Sequence, residues 1–281
     1  MKTVYSVMRT KSLFPYLFTA LFLAAFIDSW QRAGIEPAVF FEAKGRDALW
    51  KFLTGMFPPD LSWQFLSLMW RPALETVQIS LLGTLIAVVI GFPLGLLGTH
   101  TLAVSGILNE AELQGAPVRR GSRYALYLFA RGLLSLFRSI PEFVWAFMFV
   151  RAVGLGPFPG VLAIGVAYGG MLGKVYSEIF EAVNERPLEA LQSLGANKLQ
   201  IFFYGWMPQA LPNFVSYTLY RWECAVRASA ILGLVGAGGL GQQIEISMRM
   251  FNFNEVLTIL MMLFAMVVAV DYLSAKVRSM L

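Results

Sequence analysis

Ionisable residues fall in segments that are otherwise strongly apolar, and their chemistry would be the handling of charge rather than covalent catalysis. Four of them are Lys174, Arg221, Glu223 and Arg227. Ionisable side chains at membrane depth are costly, so they usually face a water-filled path or pair with one another. A guanidinium can form two parallel hydrogen bonds to an oxyanion such as phosphate or phosphonate. We therefore predict that these residues line a translocation path for an anion.

The same residues have simpler interpretations, which the sequence leaves open. Glu223 precedes Arg227 by four residues, so the two side chains could share one helix face and neutralise each other. Arg221 and Lys174 could instead extend their charged ends toward the membrane surface.

Several other kinds of chemistry are excluded by residue counts and context. A single cysteine, Cys224, allows no disulfide within the chain, and one histidine, His100, cannot form a histidine-based metal site by itself. The run from Gly236 to Gly241 matches the dinucleotide pattern G-x-G-x-x-G, but it follows an apolar helix instead of a strand. We predict an unwound, closely packed helix end there, no cofactor on this chain, and no ATP hydrolysis by the chain itself.

The composition indicates an integral membrane protein of the all-α class. Hydrophobic residues make up 57% of the 281 residues, charged residues only 14%, and the mean hydropathy is +0.64. So few polar side chains cannot cover a soluble globule of this size. Apolar runs predict about six transmembrane helices, over residues 13–27, 76–97, 141–153, 161–180, 213–234 and 256–273.

The order of these runs suggests three regions and an orientation. Residues 1–30 are predicted to form an N-terminal anchor helix, residues 31–72 an external segment that includes an interfacial helix, and residues 73–281 the core. Polar loops are expected over 100–123 and from the glycine-rich run to residue 255. More lysine and arginine side chains fall inside than outside if both termini are cytoplasmic, which also places the loop over 181–212 inside.

That loop, residues 181–212, has the pattern of a docking element. Pro187 suits the first turn of a short helix, and Leu188, Leu191 and Leu194 then form an apolar stripe at helical spacing. Gly195 is expected to end this helix, and a second short helix can follow over 196–206. Two short helices with small residues at their corner would make a knob that fits a groove in a partner.

The loop resembles the cytoplasmic "EAA" loop of importer-type ABC transporter permeases. Glu189, Ala190, Gly195 and Pro208 fit that pattern in register, whereas Leu191, Gly205 and Met207 depart from it at apolar positions. The tract RWECAVRASAILGLVGAGGLG, together with RSIPEFVWAF and GLGPFPGVLAIGVAYGG, resembles phosphonate ABC transporter permeases in particular.

The resemblance implies the type I importer permease (MetI-like) fold, in a homodimer in the bacterial inner membrane. Its implied partners are an ATPase dimer that holds ATP and Mg, a periplasmic binding protein and membrane lipid, but no nucleic acid. Glu189 would bond to the ATPase, Leu194 and Ala196 would fill its groove, and Gly195 would allow the corner. The implied substrate is phosphonate, or a related oxyanion such as phosphite or phosphate. The alternatives are a methionine-type amino-acid importer and a stand-alone secondary carrier.

Overall fold

The computed structural model describes residues 14–34, 42–103 and 117–280 of the chain, which divides into two compact units after Thr54. The first unit contains helix α1 (Phe14–Arg32) and nearly all of α2 (Ala43–Gly55). The apolar side chains of α1 are exposed along its whole length, as a lipid-facing helix requires. Helices occupy much of the predicted anchor and part of the predicted external segment, whose anchoring and interfacial roles stay predictions. Residues 1–13 and 35–41 lie outside the described residues.

The second unit is built from helices and contains the core. In chain order these are α3 (Trp63–Leu97), α4 (His100–Ala103), α5 (Pro117–Ser139), α6 (Glu142–Val153), α7 (Pro157–Glu181), α8 (Arg186–Ser193), α9 (Lys198–Gln200), the π-helix Ile201–Trp206, α10 (Met207–Gly233), α11 (Gly239–Arg249) and α12 (Phe253–Arg278). The described ranges contain no strand, which confirms the all-α class.

Three of the described helices, α3, α7 and α12, are long and apolar enough to cross a membrane. Helices α5 and α6 meet at a bend of 89° and provide a fourth span if the bent pair is taken as one. The other two predicted spans also contain helices, α1 and α10. Neither of these helices is apolar enough over a sufficient length to count as a membrane span by the same criterion. In α10 the interior carries Arg221, Glu223 and Arg227, which reduce its apolar character.

The centre of the core is a close, parallel contact between α3 and α7. A Cβ atom added to Gly91 would lie 2.9 Å from the carbonyl oxygen of Gly169, and one added to Gly95 would lie 2.8 Å from that of Gly173. The residue numbers of the two helices therefore rise together along the contact. Small residues let helix backbones approach this closely in membranes.

Three boundaries differ from the prediction. Helix α3 begins at Trp63 and passes through Pro72, well before the predicted span, with the Ser62 hydroxyl accepting a hydrogen bond from the Phe65 backbone N–H. Helix α5 occupies the end of the predicted loop over 100–123, and α11 occupies part of the predicted outer loop. Helix α11 is held by packing on α3, where Leu240 N donates to Thr76 Oγ1 at 2.9 Å. Contacts between distant segments thus stabilise helices at positions where the locally polar sequence predicts a loop.

Candidate functional site

The loop over 181–212 forms a compact corner of helices. Pro187 lies in the first turn of α8, and Gly195 follows that helix with a φ of +83°, a left-handed conformation that favours glycine. Asn197 and Gln200 then form a reciprocal capping box with bonds of 2.9 and 2.8 Å. The predicted pair of short helices with a glycine at the turn is therefore confirmed.

One face of this corner is anchored to the core. Leu188 is fully buried, and a Cβ atom added to Gly205 would lie 2.6 Å from Leu188 Cδ2 and 2.9 Å from Leu191 Cδ1. The Trp206 indole N–H donates to the carbonyl oxygen of Phe180, near the end of α7, at 3.0 Å. Because Trp206 ends the π-helix, this bond connects the last part of the corner to α7, the helix that precedes the corner. The corner is therefore held against the rest of the protein.

The opposite face of the corner exposes apolar side chains around a notch of about 390 Å³. The notch is lined by Leu191, Leu194, Gly195, Ala196, Gln200 and Tyr204, and we refer to these six residues as the coupling surface. Leu194 is 84% exposed and Tyr204 is 77% exposed, so both are available to a partner.

The structure brings together only part of the predicted coupling set. Leu194, Gly195 and Ala196 line the notch, whereas Glu189 and Ala190 are exposed on α8, and Pro208 is exposed in the first turn of α10. The sequence analysis missed Tyr204, because the π-helix decides which side chains of the run IFFYGW point outward.

Arg221, on α10, is enclosed by tyrosines of α10 and α7. Its Nε and Nη2 atoms donate to the Tyr217 hydroxyl at 2.9 and 2.7 Å. Its guanidinium carbon also lies 5.8 Å from the ring centre of Tyr168 and 5.9 Å from that of Tyr220, within the range of cation–π attraction. The three tyrosines were not predicted, and no local sequence signal singles them out.

The alternative pairing of Glu223 with Arg227 is wrong. The buried Glu223 carboxylate accepts a hydrogen bond from Nη2 of Arg278, at the end of α12, at 2.8 Å. Arg227 is exposed and its Nη2 lies 3.5 Å from the sulfur of Cys224. The pairing fails because α12 brings a cation to Glu223 from 55 residues away.

Lys174, the fourth residue predicted for the path, lies on α7 and pairs within that helix. Its Nζ atom is 2.9 Å from Glu178 Oε1, and the Lys174 side chain is 26% exposed. The four predicted path residues therefore have different partners and do not form one cluster.

An open apolar groove runs between α3 and α10. Two adjoining cavities, of about 320 and 270 Å³, share the residues Val88, Thr218 and Leu219. We refer to both cavities together as the α3–α10 groove. It was not predicted, because it depends on how the two helices cross.

The glycine-rich run after α10 is a packed turn. Gly236, Gly238 and Gly239 have φ values of +90°, +81° and +71°, and the Gly239 backbone N–H donates to Glu75 of α3 at 3.3 Å. This confirms the predicted unwound helix end. Among the described residues, no group of three or more His, Cys, Asp or Glu side chains could hold a metal ion.

Comparison with known proteins identifies the family. Residues 115–277 match the family model described as "Binding-protein-dependent transport system inner membrane component". The phosphite transport system permease protein PtxC of Stutzerimonas stutzeri is 36% identical over 221 residues, which cover 79% of this chain and 73% of PtxC. The phosphate-import permease protein PhnE of Mycolicibacterium smegmatis is 32% identical over 81% of this chain and 39% of its own length.

The fold is also found in a solved transporter. An inward-facing structure of the MetNI methionine ABC transporter matches with a TM-score of 0.64 at 24% identity, over 78% of this chain and 98% of the matched chain. This likeness confirms the type I ABC importer permease fold. The chain is accordingly a multi-pass membrane protein and a transport component, not an enzyme in its own right. It belongs to the family of binding-protein-dependent transport system inner membrane components.

Proposed function

We propose that this chain is the membrane subunit of an ATP-driven importer that passes phosphonate, or a related oxyanion such as phosphite or phosphate, across the inner membrane. The observation that carries the proposal is the coupling surface, an exposed notch of mixed apolar and polar lining on a corner anchored to the core, with Leu194 and Tyr204 exposed beside it. Permease relatives named for phosphite transport and phosphate import support the substrate class.

In this proposal a separate ATPase dimer, which holds ATP and Mg, docks on the coupling surface. Leu194 and Ala196 enter its groove, Gly195 allows the corner, and Glu189 accepts hydrogen bonds at the rim beside Ala190. Pro208 begins the helix that carries the motion into the membrane. Exposed apolar side chains on a rigid support suit such a contact, because little conformational entropy is lost on binding.

The proposed path for the oxyanion passes Arg221. Its guanidinium is held by neutral tyrosines, so its positive charge is not cancelled by a carboxylate among the contacts described for it. Arg227 adds positive potential, whereas the charges of Lys174 and Glu223 are balanced by their pairings with Glu178 and Arg278. A broadly positive path suits transport better than a tight cage, because tight binding would slow release.

The proposed assembly places both termini in the cytoplasm and a periplasmic binding protein at the outer face. A second copy of the chain covers the α3–α10 groove, and lipid covers the remaining apolar surface. A methionine-type importer shares the fold, but the fold alone does not determine which substrate is transported. A stand-alone carrier would have no use for the coupling surface.

The test is a comparison of wild-type protein with Gly195→Asp. A Cβ atom added at Gly195 meets nothing within 4 Å, and although the φ of +83° strains a side chain, Asp is among the residues that tolerate this conformation best. The variant should therefore insert while placing a charge in the notch. We expect tagged wild-type protein to recover an ATPase from mild detergent and the variant to lose it. Gly34→Asp is the matched control, because Gly34 is exposed, has a φ of +61° and also has open space beside it.

The recovered complex then identifies the substrate. Its ATP hydrolysis is measured in the presence of the binding protein with phosphite, methylphosphonate, phosphate or methionine. We expect stimulation by one or more of the phosphorus oxyanions and none by methionine. Failure of wild-type protein to recover any ATPase would refute the coupling role, and stimulation by methionine alone would refute the substrate class.

A further inference from the structure

One carboxylate joins the C-terminal end of α7 to two other helices. Glu181 Oε1 accepts hydrogen bonds from Arg131 Nη2 and from the backbone N–H of His100, each at 2.9 Å. Arg131 also donates from Nε to the carbonyl oxygen of Gly98 at 3.0 Å, and its guanidinium lies 5.0 Å from the ring centre of Tyr127. Gly98 and His100 follow the end of α3, whereas Tyr127 and Arg131 belong to α5.

We refer to the contacts of Glu181 with Arg131 and His100 as the joint, and to the corner formed by residues 181–212 as the coupling corner. The joint lies at the start of the coupling corner. Glu181 is the last residue of α7, and α8 begins at Arg186, so only a short turn separates the joint from the corner. On the other side, α5 is the first arm of the helix pair bent by 89°. A displacement of the corner can therefore reach α5 through Glu181 and Arg131, in addition to the packing of α5 on α7 at Gly170 and Gly173.

The contacts of the joint are better suited to aligning the helices than to stabilising the folded protein. The side chains of Arg131 and Glu181 are 33% and 30% exposed, and ion pairs with this much solvent contact contribute little to folding. Yet the guanidinium is fixed on three sides, by a carboxylate, a backbone carbonyl and an aromatic ring. Such convergence sets the direction of a planar side chain, which a lysine could not reproduce.

We infer that Arg131 and Glu181 are positioning residues that transmit movement of the coupling corner into α5 and the bent helix pair. The inference rests on the proposed function, since it requires an ATPase that moves the corner. Arg131 itself contacts neither the coupling surface nor the proposed path in the contacts described for it. Its loss should therefore uncouple ATP hydrolysis from transport without releasing the ATPase.

The experiment compares Arg131→Gln with wild-type protein in the complete complex, with ATPase and binding protein, reconstituted in vesicles. The readouts are ATPase recovery, ATP hydrolysis, and phosphite uptake per ATP hydrolysed. We expect normal recovery, hydrolysis within about twofold of wild type, and uptake per ATP reduced about 10-fold, a usual size for coupling between distant sites. Arg138→Gln, an exposed position on the same helix, is the matched control and should change nothing.

A conservative variant separates directed contacts from charge alone. Arg131→Lys keeps a cation beside Glu181 but cannot reproduce the planar contacts with Gly98 and Tyr127, so it should assemble normally and recover only part of the lost uptake per ATP. Unchanged uptake per ATP in Arg131→Gln overturns the inference, and so does full recovery of uptake per ATP in Arg131→Lys. Failure of both variants to assemble would show a structural role instead. If the wild-type protein recovers no ATPase, the proposed function itself is refuted. This outcome can be told apart from the others because it does not depend on any Arg131 variant.

Discussion

Arg221 and Glu223 lie two residues apart on α10, but the structure gives their charges different surroundings. Glu223 is buried and meets the opposite charge of Arg278, so it is neutralised within the protein. Arg221 meets phenol rings and one hydroxyl group, which orient a guanidinium but leave its net charge in place. An arginine that is oriented and not neutralised is suited to meet an anion.

Replacement of Arg221 tests this assignment. Arg221→Ala should lower phosphite uptake about 10- to 100-fold, because hydrogen bonds to charged groups contribute about 1.5–3 kcal/mol. Arg221→Lys should recover only part of the loss, since an ammonium keeps the charge but not the planar contacts with tyrosine. Uptake is measured in cells with matched amounts of inserted protein. Arg151→Ala, at an exposed position on α6, serves as the control, and normal uptake in Arg221→Ala would remove Arg221 from the path.

At the scale of helices, the parallel contact of α3 and α7 leaves no room for added side chains. Backbone atoms face each other across the glycines, so an added side chain cannot be accommodated by a change of rotamer. Such a contact fixes the register of the two helices. The positions of the coupling corner and of the joint at Glu181 both depend on where α7 ends.

Gly173→Ala should therefore destabilise the protein. The added Cβ atom would lie 2.8 Å from the carbonyl oxygen of Gly91, and overpacking of this kind costs about 1–3 kcal/mol. We expect a thermal unfolding midpoint in detergent that is lower by several degrees. Gly132→Ala, on α5, has nothing within 4 Å and should be neutral or stabilising by up to about 1 kcal/mol. Equal midpoints for the two variants would contradict the close contact.

At the scale of the whole molecule, the α3–α10 groove is an apolar surface that one copy of the chain leaves open. Its lining includes Phe92, Phe214 and Leu219, and its two cavities adjoin along α10. In the proposed importer a second permease copy covers it, which would place the two α10 helices, and both Arg221 residues, near a common axis.

Cross-linking tests this arrangement. In a Cys224→Ser background, Leu219→Cys should be joined by a short bismaleimide in native membranes into a species of twice the 31.2 kDa chain mass. Phe264→Cys, on the exposed face of α12, should remain largely monomeric and controls for random collision. Monomeric Leu219→Cys, with the thiol still reactive toward a single maleimide, would indicate that lipid covers the groove instead.

The features that the sequence alone determined are those that depend on neighbouring residues. Composition established a helical membrane protein, and the apolar runs located helices at every predicted span. The coupling corner was predictable because Pro187, Gly195 and Asn197 act on the backbone next to them, through a first turn, a left-handed φ and a cap. The family resemblance depended on the same short pattern and on tracts in the predicted spans, such as RWECAVRASAILGLVGAGGLG.

Only the tertiary structure decided which side chains meet across helices. The partner of Glu223 is 55 residues away, and the joint at Glu181 brings Arg131 from 50 residues away. The extent of α3 and the presence of α11 likewise follow from packing between distant segments. The physical reason is that helical periodicity indicates which face is apolar, but the register and crossing of packed helices set its neighbours. In this protein that register is set where the glycine backbones of α3 and α7 touch.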